Sequence, residues 1–322
     1  MVKGKGVGAV LALGAMLILS FNVAAADKVR VAIGQKGLWD TLVVHQGLEQ
    51  GIFQKAGLEV EATWTRGGAE TLQAVITGSA DFAFANGITG VLGAYAKGAP
   101  VRIVSAQMTG AGDLFWYVKA DSPIRNMKDM NGKTMGYSRP GSSTHLVALA
   151  LAQAAGVKPT LVSSGDAPGT RVQVMSGQID AGWSAPPNNL ELVTEGKIRI
   201  LARGSDVPSL NAQTVRVNVA NLKFLKEKRD VARRFMKAYA DTIDWMYREP
   251  AGATAFFAKF NQLSADVAKQ SATFYSKQSL ALAPIAGLQQ SLDQALEYKN
   301  LDKPMSLKEA QGAIDIVYQP GK

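Results

Sequence analysis

The chain has 322 residues, with 35 Lys and Arg against 26 Asp and Glu for a formal net charge of +9, 47% hydrophobic residues and no Cys. A chain this long can bury a sizeable core and divides into more than one lobe, since single domains run to about 100–200 residues, and it must fold without disulfides. Its cations are scattered apart from KFLKEKRDVARRFMK at 223–237, and no basic patch is expected to be interleaved with exposed aromatics, which argues against a nucleic-acid partner.

The chain opens MVKGKG, continues VGAVLALGAMLILSF and reaches the small residues Ala24, Ala25 and Ala26. A basic start, an apolar segment and an A-x-A-type end predict a signal peptide over 1–26, cleaved before Asp27. No Cys follows it to carry a lipid, so the exported product is expected free in solution.

VRVAIGQ at 29–35 reads as a buried strand, and Asp40 offers an N-cap for the helix TLVVHQGLEQ. LEVEATW then alternates strictly, with Leu58, Val60, Ala62 and Trp64 in one phase, which places Trp64 in the core. In GGAETLQAVITG, Leu72, Val75 and Ile76 share a helical face that Gly78 closes. ADFAFANG finishes the unit as a strand running into an Asn-Gly turn.

The same order returns about a hundred residues later. MGYSR, a hydroxyl loop, a helix through Ala155, TLVSS, PGTRVQVMSG and IDAGWSAP follow one another as before, and VITGSADFAFAN at 75–86 lies over VMSGQIDAGWSA at 174–185. Strands alternating with helices call for a parallel sheet in each unit. Between the units PVRIVSAQM at 100–108 and then DLFWYVKA read as a continuous apolar strand crossing from one lobe to the other. KIRILARGSD at 197–206 and TVRVNV at 214–219 bring the chain back, giving a hinge with two connections. Val231, Phe235, Tyr239, Ile243 and Met246 then mark one face of a helix, and further helices are expected near 251–260, 264–277, 286–299 and 306–316, packed on the first lobe. The expected division is α/β lobe 1 over 27–113 and 206–322, with α/β lobe 2 over 114–205.

Ligands of open α/β sheets bind beyond the carboxyl ends of the strands. Two facing lobes would therefore line a shared cleft with GLWDT at 37–41, TRGG at 65–68, ANGIT at 85–89, GSST at 141–144 and WSAPP at 183–187. These loops supply the candidate ligand residues Trp39, Thr41, Gly68, Asn86, Gly87, Ser142, Ser143, Thr144 and Trp183. A helix start needs one capping hydroxyl, and RPGSSTH at 139–145 supplies three, which suggests donors for an anion as well as a cap. Trp39 and Trp183 would pack on a ligand's carbon skeleton or close over the core, and Asn86 would bind ligand or tolerate a left-handed turn. Gly68 would allow close backbone approach.

Reaction chemistry finds no footing. His45 and His145 are too few and too far apart for a metal site, and His145 reads as a first-turn residue that tunes the pocket. There is no GxSxG, GxxxxGK[ST] or GxGxxG, and the acidic residues make no paired cluster. No catalytic residue, metal or cofactor is expected.

GLEQGIFQKAGLEVEATWTRGGAETLQAVITGSADFAFANG, GAYAKGAPVRIVSA, KADSPIRNMKDMNGKTMGYSRPGSSTHL and SGQIDAGWSAPP, in that order, resemble the substrate-binding proteins of ABC importers. The similar branch serves nitrate, taurine, alkanesulfonates and thiamine-pyrimidine precursors. The resemblance implies a type II periplasmic binding protein: two α/β lobes joined by a two-connection hinge, with a helical C-terminal extension on the first lobe. It implies a monomeric periplasmic receptor that captures a small organic anion and delivers it to an inner-membrane permease with a cytoplasmic ATPase. Ser142, Ser143 and Thr144 match the family's ligand loop. The alternative implied is a thiamine-pyrimidine precursor-binding protein or synthase-like enzyme, but the synthase motif is rich in Cys and this chain has none. LysR-type regulators share the fold but carry a helix-turn-helix where this chain has its export signal.

Overall fold

The computed structural model describes residues 1, 2 and 25–321, so the segment read as a signal peptide lies outside the described residues except at its ends. β1 (Asp27–Gly34) leads to α1 (Val43–Glu49) and the single turn α2 (Ile52–Lys55). β2 (Leu58–Thr65), α3 (Gly68–Ile76), β3 (Phe82–Gly87), α4 (Ile88–Ala96) and β4 (Val101–Thr109) complete the first unit. The second contains β5 (Phe115–Lys119), β6 (Thr134–Tyr137), α5 (Ser143–Ala155), β7 (Thr160–Ser163) and α6 (Ala167–Met175). It ends with β8 (Gly182–Ser184), α7 (Leu190–Thr194) and β9 (Ile198–Arg203). The chain returns through β10 (Thr214–Asn221) to α8 (Leu222–Glu227), α9 (Arg229–Arg248) and α10 (Pro250–Asn261). It closes with α11 (Ala265–Ala272), α12 (Leu288–Glu297) and α13 (Leu307–Gln311).

The first sheet has the order β2-β1-β3-β10-β4. β1 is parallel to β2 and β3, whereas β10 runs antiparallel to both neighbours, so the sheet is mixed rather than parallel. The reason is the hinge: β4 carries the chain out toward the other lobe, and the strand that brings it back must run the opposite way. The stretch read as one crossing strand is two, because β4 ends at Thr109 and β5 begins at Phe115 in the other sheet.

The second lobe repeats this plan. β7 pairs with β6 in parallel, the Gly136 N–H donates to the Ala181 carbonyl at 2.8 Å beside β8, and β5 pairs antiparallel with β8 and β9. The resulting order, β7-β6-β8-β5-β9, mirrors the first sheet. The Asp shared by the two sequence units does the same work in each. Asp81 accepts the Arg30 backbone N–H of β1 at 2.8 Å, and Asp180 accepts the Thr134 N–H of β6 at 2.8 Å. Without such an acceptor each of these half-buried strand-start N–H groups would lose its partner within the protein.

Two strands of the first sheet, β3 and β10, are buried along their whole length, because helices cover both faces. α9 lies against this sheet with the face expected from its spacing: Val231, Phe235, Tyr239, Ile243 and Met246 are all buried. Phe235 stacks on Phe82 at 4.5 Å and on Phe53 at 5.1 Å between ring centroids. β2 alternates as expected, but its tip departs from expectation. Trp64 is half-buried, packed against the rim of the core between His45 of α1, on which it stacks at 4.7 Å, and Phe260 of α10, because β2 is an edge strand. α12 packs on α4, and Ile314 bridges to Ile103 of β4, so the C-terminal segment is tied to the first sheet.

The two connections run side by side. The Gly110 N–H donates to Gln213 O at 2.8 Å, and the Gly204 N–H donates to Leu114 O at 2.8 Å. Two short, mutually bonded segments permit bending but resist sliding.

Phe235→Ala removes the ring that joins Phe53 and Phe82. It is expected to cost about 3–5 kcal/mol of stability, read as a lower urea midpoint at unchanged slope.

Candidate functional site

Three helix N-termini meet where the lobes face each other. α3 starts at Gly68, whose bare Cα presses on the end of β3: a Cβ there would collide with the Ala85 carbonyl and come within 2.9 Å of the Asn86 Cα. α4 starts just after Gly87, and a Cβ on Gly87 would collide with the Gly141 carbonyl and lie 2.6 Å from the Ser143 nitrogen at the start of α5. Only glycine lets these backbones approach so closely. Each helix start carries unpaired N–H groups and a partial positive charge, so the seam is a region of concentrated positive potential.

The hydroxyl loop stands at this seam. Ser142 is the N-cap of α5 and accepts the His145 N–H at 3.2 Å. Its Oγ also lies 2.9 Å from Thr144 Oγ1, Thr144 Oγ1 lies 2.8 Å from Ser138 Oγ, and Ser138 Oγ donates to Ser142 Oγ at 2.9 Å. Three buried hydroxyls thus close a ring. Each is satisfied within the ring, and each can turn its proton outward to an acceptor, since a hydroxyl rotor is free to follow its best partner. Ser138 was not among the sequence candidates, because it precedes Pro140 at the end of β6 and only the fold of the loop brings it back onto Thr144. His145 lies in the first turn of α5, stacked on Tyr137 at 4.4 Å, and burial holds its pKa below the ordinary value.

The remaining candidates are placed as follows. Asn86 is buried, with Oδ1 accepting the Thr71 hydroxyl at 2.8 Å and Nδ2 donating to Ala83 O at 2.8 Å and Val217 O at 3.2 Å. The Asn-Gly pair is not a left-handed turn: the positive φ of 65° belongs to Ala85, and Gly87 is extended at φ −65° as the N-cap of α4. The Thr41 hydroxyl is bonded within its own loop, to Gln35 O at 2.8 Å. Trp39 is buried edge-on against Phe257 at 5.2 Å, and Trp183 is buried with its indole N–H donating to Gly165 O at 3.2 Å. The structure therefore brings Gly68, Asn86, Gly87, Ser142, Ser143 and Thr144 together, while Trp39, Thr41 and Trp183 are buried and line neither of the cavities at the seam. Two cavities open along the seam. One, of about 290 Å³, is lined by Gly68, Asn86, Gly87 and Gly141; the other, of about 250 Å³, lies between Lys36 and Asn261 of the first lobe and Arg171 and Asn189 of the second.

Two expectations about acidic residues are overturned. Asp40 does not cap α1, whose N-cap is Leu42; it is buried and pairs with Arg216 at 3.2 Å. Asp113, in the first connection, binds the same guanidinium from the other side, so the chain does contain a paired acidic cluster. Residues 40, 113 and 216 are too far apart in sequence for any local pattern to reveal it. The trio joins three functional parts: the loop between β1 and α1, the hinge, and β10. Through Gln107, which donates to Asp40 Oδ2 at 3.3 Å and accepts the Ala85 N–H, it also reaches the end of β3. Burial pushes the Asp40 carboxyl up to about 6, opposed by Arg216 and reinforced by Asp113. Burial works against the Arg216 charge, but the two carboxylates raise its pKa. Among the described residues, no group of three or more His, Asp and Glu could hold a metal ion.

A family model described as NMT1/THI5 like matches residues 42–253. The chain belongs to this family. A relative from Brucella abortus named as a binding protein is 27% identical over 256 residues, 78% of this chain and 77% of its own length. A relative from Escherichia coli K12, named as an aliphatic sulfonates-binding protein, is 27% identical over 208 residues, 61% of this chain and 62% of that one. The alkanesulfonate-binding protein of Xanthomonas axonopodis pv. citri, solved with MOPS, superposes with a TM-score of 0.74 at 19% identity, covering 91% of this chain and 99% of that one. A desulfurization enzyme, DSZB, has the same architecture at a TM-score of 0.60 and 18% identity, over 89% of this chain and 98% of its own. The shared fold is the two-lobed type II periplasmic-binding-protein fold.

Arg216→Ala strands two buried carboxylates and is expected to cost about 3–5 kcal/mol, read by urea unfolding. Asp40 is more easily protonated folded than unfolded, so its contribution to stability is greatest below the ordinary carboxylate value and falls as pH rises through about 6. Asp40→Asn should flatten that fall in a pH series of thermal midpoints.

Proposed function

We propose that this NMT1/THI5-like protein is the solute receptor of an ABC importer, capturing a small organic anion between its lobes. The observation that carries this reading is the meeting of three helix N-termini and a hydroxyl ring at the seam between the lobes. A sulfonate or carboxylate there would receive the Ser138, Ser142 and Thr144 protons and the free N–H groups of α5, and would offset the positive poles of α3, α4 and α5. No ionised side chain is needed to hold it, so the head group would be bound mainly by neutral dipoles. Trp39, Thr41 and Trp183 would shape the walls around the organic remainder. The names of the relatives favour a sulfonate over nitrate or a pyrimidine, and the absence of Cys tells against the synthase reading.

The same reading assigns residues 27–113 and 206–322 to the first lobe and 114–205 to the second. Ligand held by one lobe would gain its contacts to the other only on closure, and this differential affinity shifts the population toward the closed form. A periplasmic site of action is supported by the basic and apolar start of the sequence and by the periplasmic aliphatic sulphonate-binding protein of Escherichia coli, a structural neighbour with a TM-score of 0.69 at 19% identity. No helix among the described residues is long and apolar enough to cross a membrane. The closed form would deliver its cargo, as a monomer, to a membrane permease driven by a cytoplasmic ATPase.

The reading is tested by calorimetric titration of the purified protein with alkanesulfonates, aromatic carboxylates and a pyrimidine. A sulfonate or carboxylate is expected to bind, and the triple variant S142A/S143A/T144A to lose at least about tenfold in affinity, since a hydrogen bond to a charged group is worth about 1.5–3 kcal/mol. Undiminished affinity in a variant whose circular dichroism is unchanged removes the anion site. Sustained turnover of any bound compound would make the protein an enzyme.

A further inference from the structure

The seam between the lobes is fastened by a contact that no ligand makes. Arg139 immediately precedes the hydroxyl loop of the second lobe, and its Nη2 lies 2.9 Å from Glu70 Oε1 in the first turn of α3. Glu70 is already held in place from its own side: Oε2 accepts the Arg66 backbone N–H at 3.0 Å and Oε1 accepts Arg66 Nε at 3.2 Å. It therefore presents a fixed oxygen to the arriving guanidinium. Beside this pair the loop lands on bare helix. The Gly141 carbonyl rests on the face of α4 made by Gly87 and Gly90, and a Cβ on Gly90 would stand 2.5 Å from that oxygen.

This closure has an electrostatic cost. It sets the N-terminal poles of α4 and α5, both positive, against each other, with only the partial negative charge of the Gly141 carbonyl oxygen set against the start of α4 to oppose their repulsion. Something other than ligand must offset that repulsion if the closed form is to be sampled before ligand arrives.

We infer that Arg139 and Glu70 form a latch across the cleft, landing on the Gly87–Gly90 face of α4, which sets the population of the closed form and hence the affinity for ligand. Both are positioning residues. This rests on the receptor reading for its meaning, but the latch is a property of the lobes alone and can be measured without any ligand. Burial alone would raise the Glu70 carboxyl, yet the Arg66 N–H and the guanidiniums of Arg139 and Arg66 hold it below the ordinary value. The pair is thus intact above the ordinary carboxylate range and lost as pH falls below it. Each side chain is 31% exposed, so salt screens the pair and loosens the latch.

The chain has no Cys, so an introduced pair is unique. Gln153 on α5 and Glu297 on α12 meet across the lobes at 3.2 Å and are both exposed, so Q153C/E297C with a short bis-maleimide reports the closed form in ligand-free protein. In that background R139E and E70R are each expected to lower the initial cross-linking rate several-fold, and R139E/E70R together to restore it. G90A is expected to lower the rate in the same way with little change in thermal midpoint, because alanine suits a helix better than glycine and the methyl group meets only the other lobe. An R139E rate equal to that of the parent, or single losses that the swapped pair does not recover, overturns the latch. If cross-linking behaves as expected while no anion binds in calorimetry, the latch stands and the receptor reading falls.

Discussion

Like-poled helix N-termini cannot be pressed together in a dry seam without something negative nearby. α3, α4 and α5 all point their starts at the space between the lobes, and the backbones at Gly87 and Ser143 are close enough to leave no room for a Cβ. The positive potential comes from peptide dipoles in rigid elements. It cannot relax by moving a side chain, and it is felt by whatever enters the cleft. The hydroxyl ring of Ser138, Ser142 and Thr144 adds three donors that are satisfied by one another.

A second buried electrostatic feature sits behind the first. Arg216 between Asp40 and Asp113 joins the hinge to the loop that carries Trp39 and Thr41, and Gln107 extends the link to the end of β3. Two carboxylates for one guanidinium leave the group short of positive charge. Burial lifts the Asp40 carboxyl above its usual range, Arg216 opposes the rise, and the second carboxylate, Asp113, adds to it. Such a cluster is poor value as a source of stability. Its placement suggests a different return, since it holds the hinge and two cleft loops in one register.

The duplicated plan explains how two lobes come to offer matching helix starts. The strands of both lobes lie in the same order, with β7-β6 joined to β8-β5-β9 through the Met135–Ala181 bridge in the second, and in both an Asp at the foot of the third strand accepts a backbone N–H of the first. With that register fixed, the loops after the strands fall at the same edge of each sheet. Facing the two edges across paired connections builds one cleft from two copies of a single design.

The sequence alone determined the succession of strands and helices, the repeat, the buried face of α9 and the hydroxyl loop, because these follow from periodicity and from capping chemistry that act within a few residues. It misjudged Trp64 and the polarity of the first sheet, since edge exposure and strand direction depend on where the chain goes next. It was silent on Ser138 within the ring, on Asp40, Asp113 and Arg216 as one cluster, and on Arg139 facing Glu70. Each of these joins residues that only the folded backbone makes neighbours. Tertiary structure decided them because electrostatic contact is set by distance in space, and distance along the chain carries no trace of it.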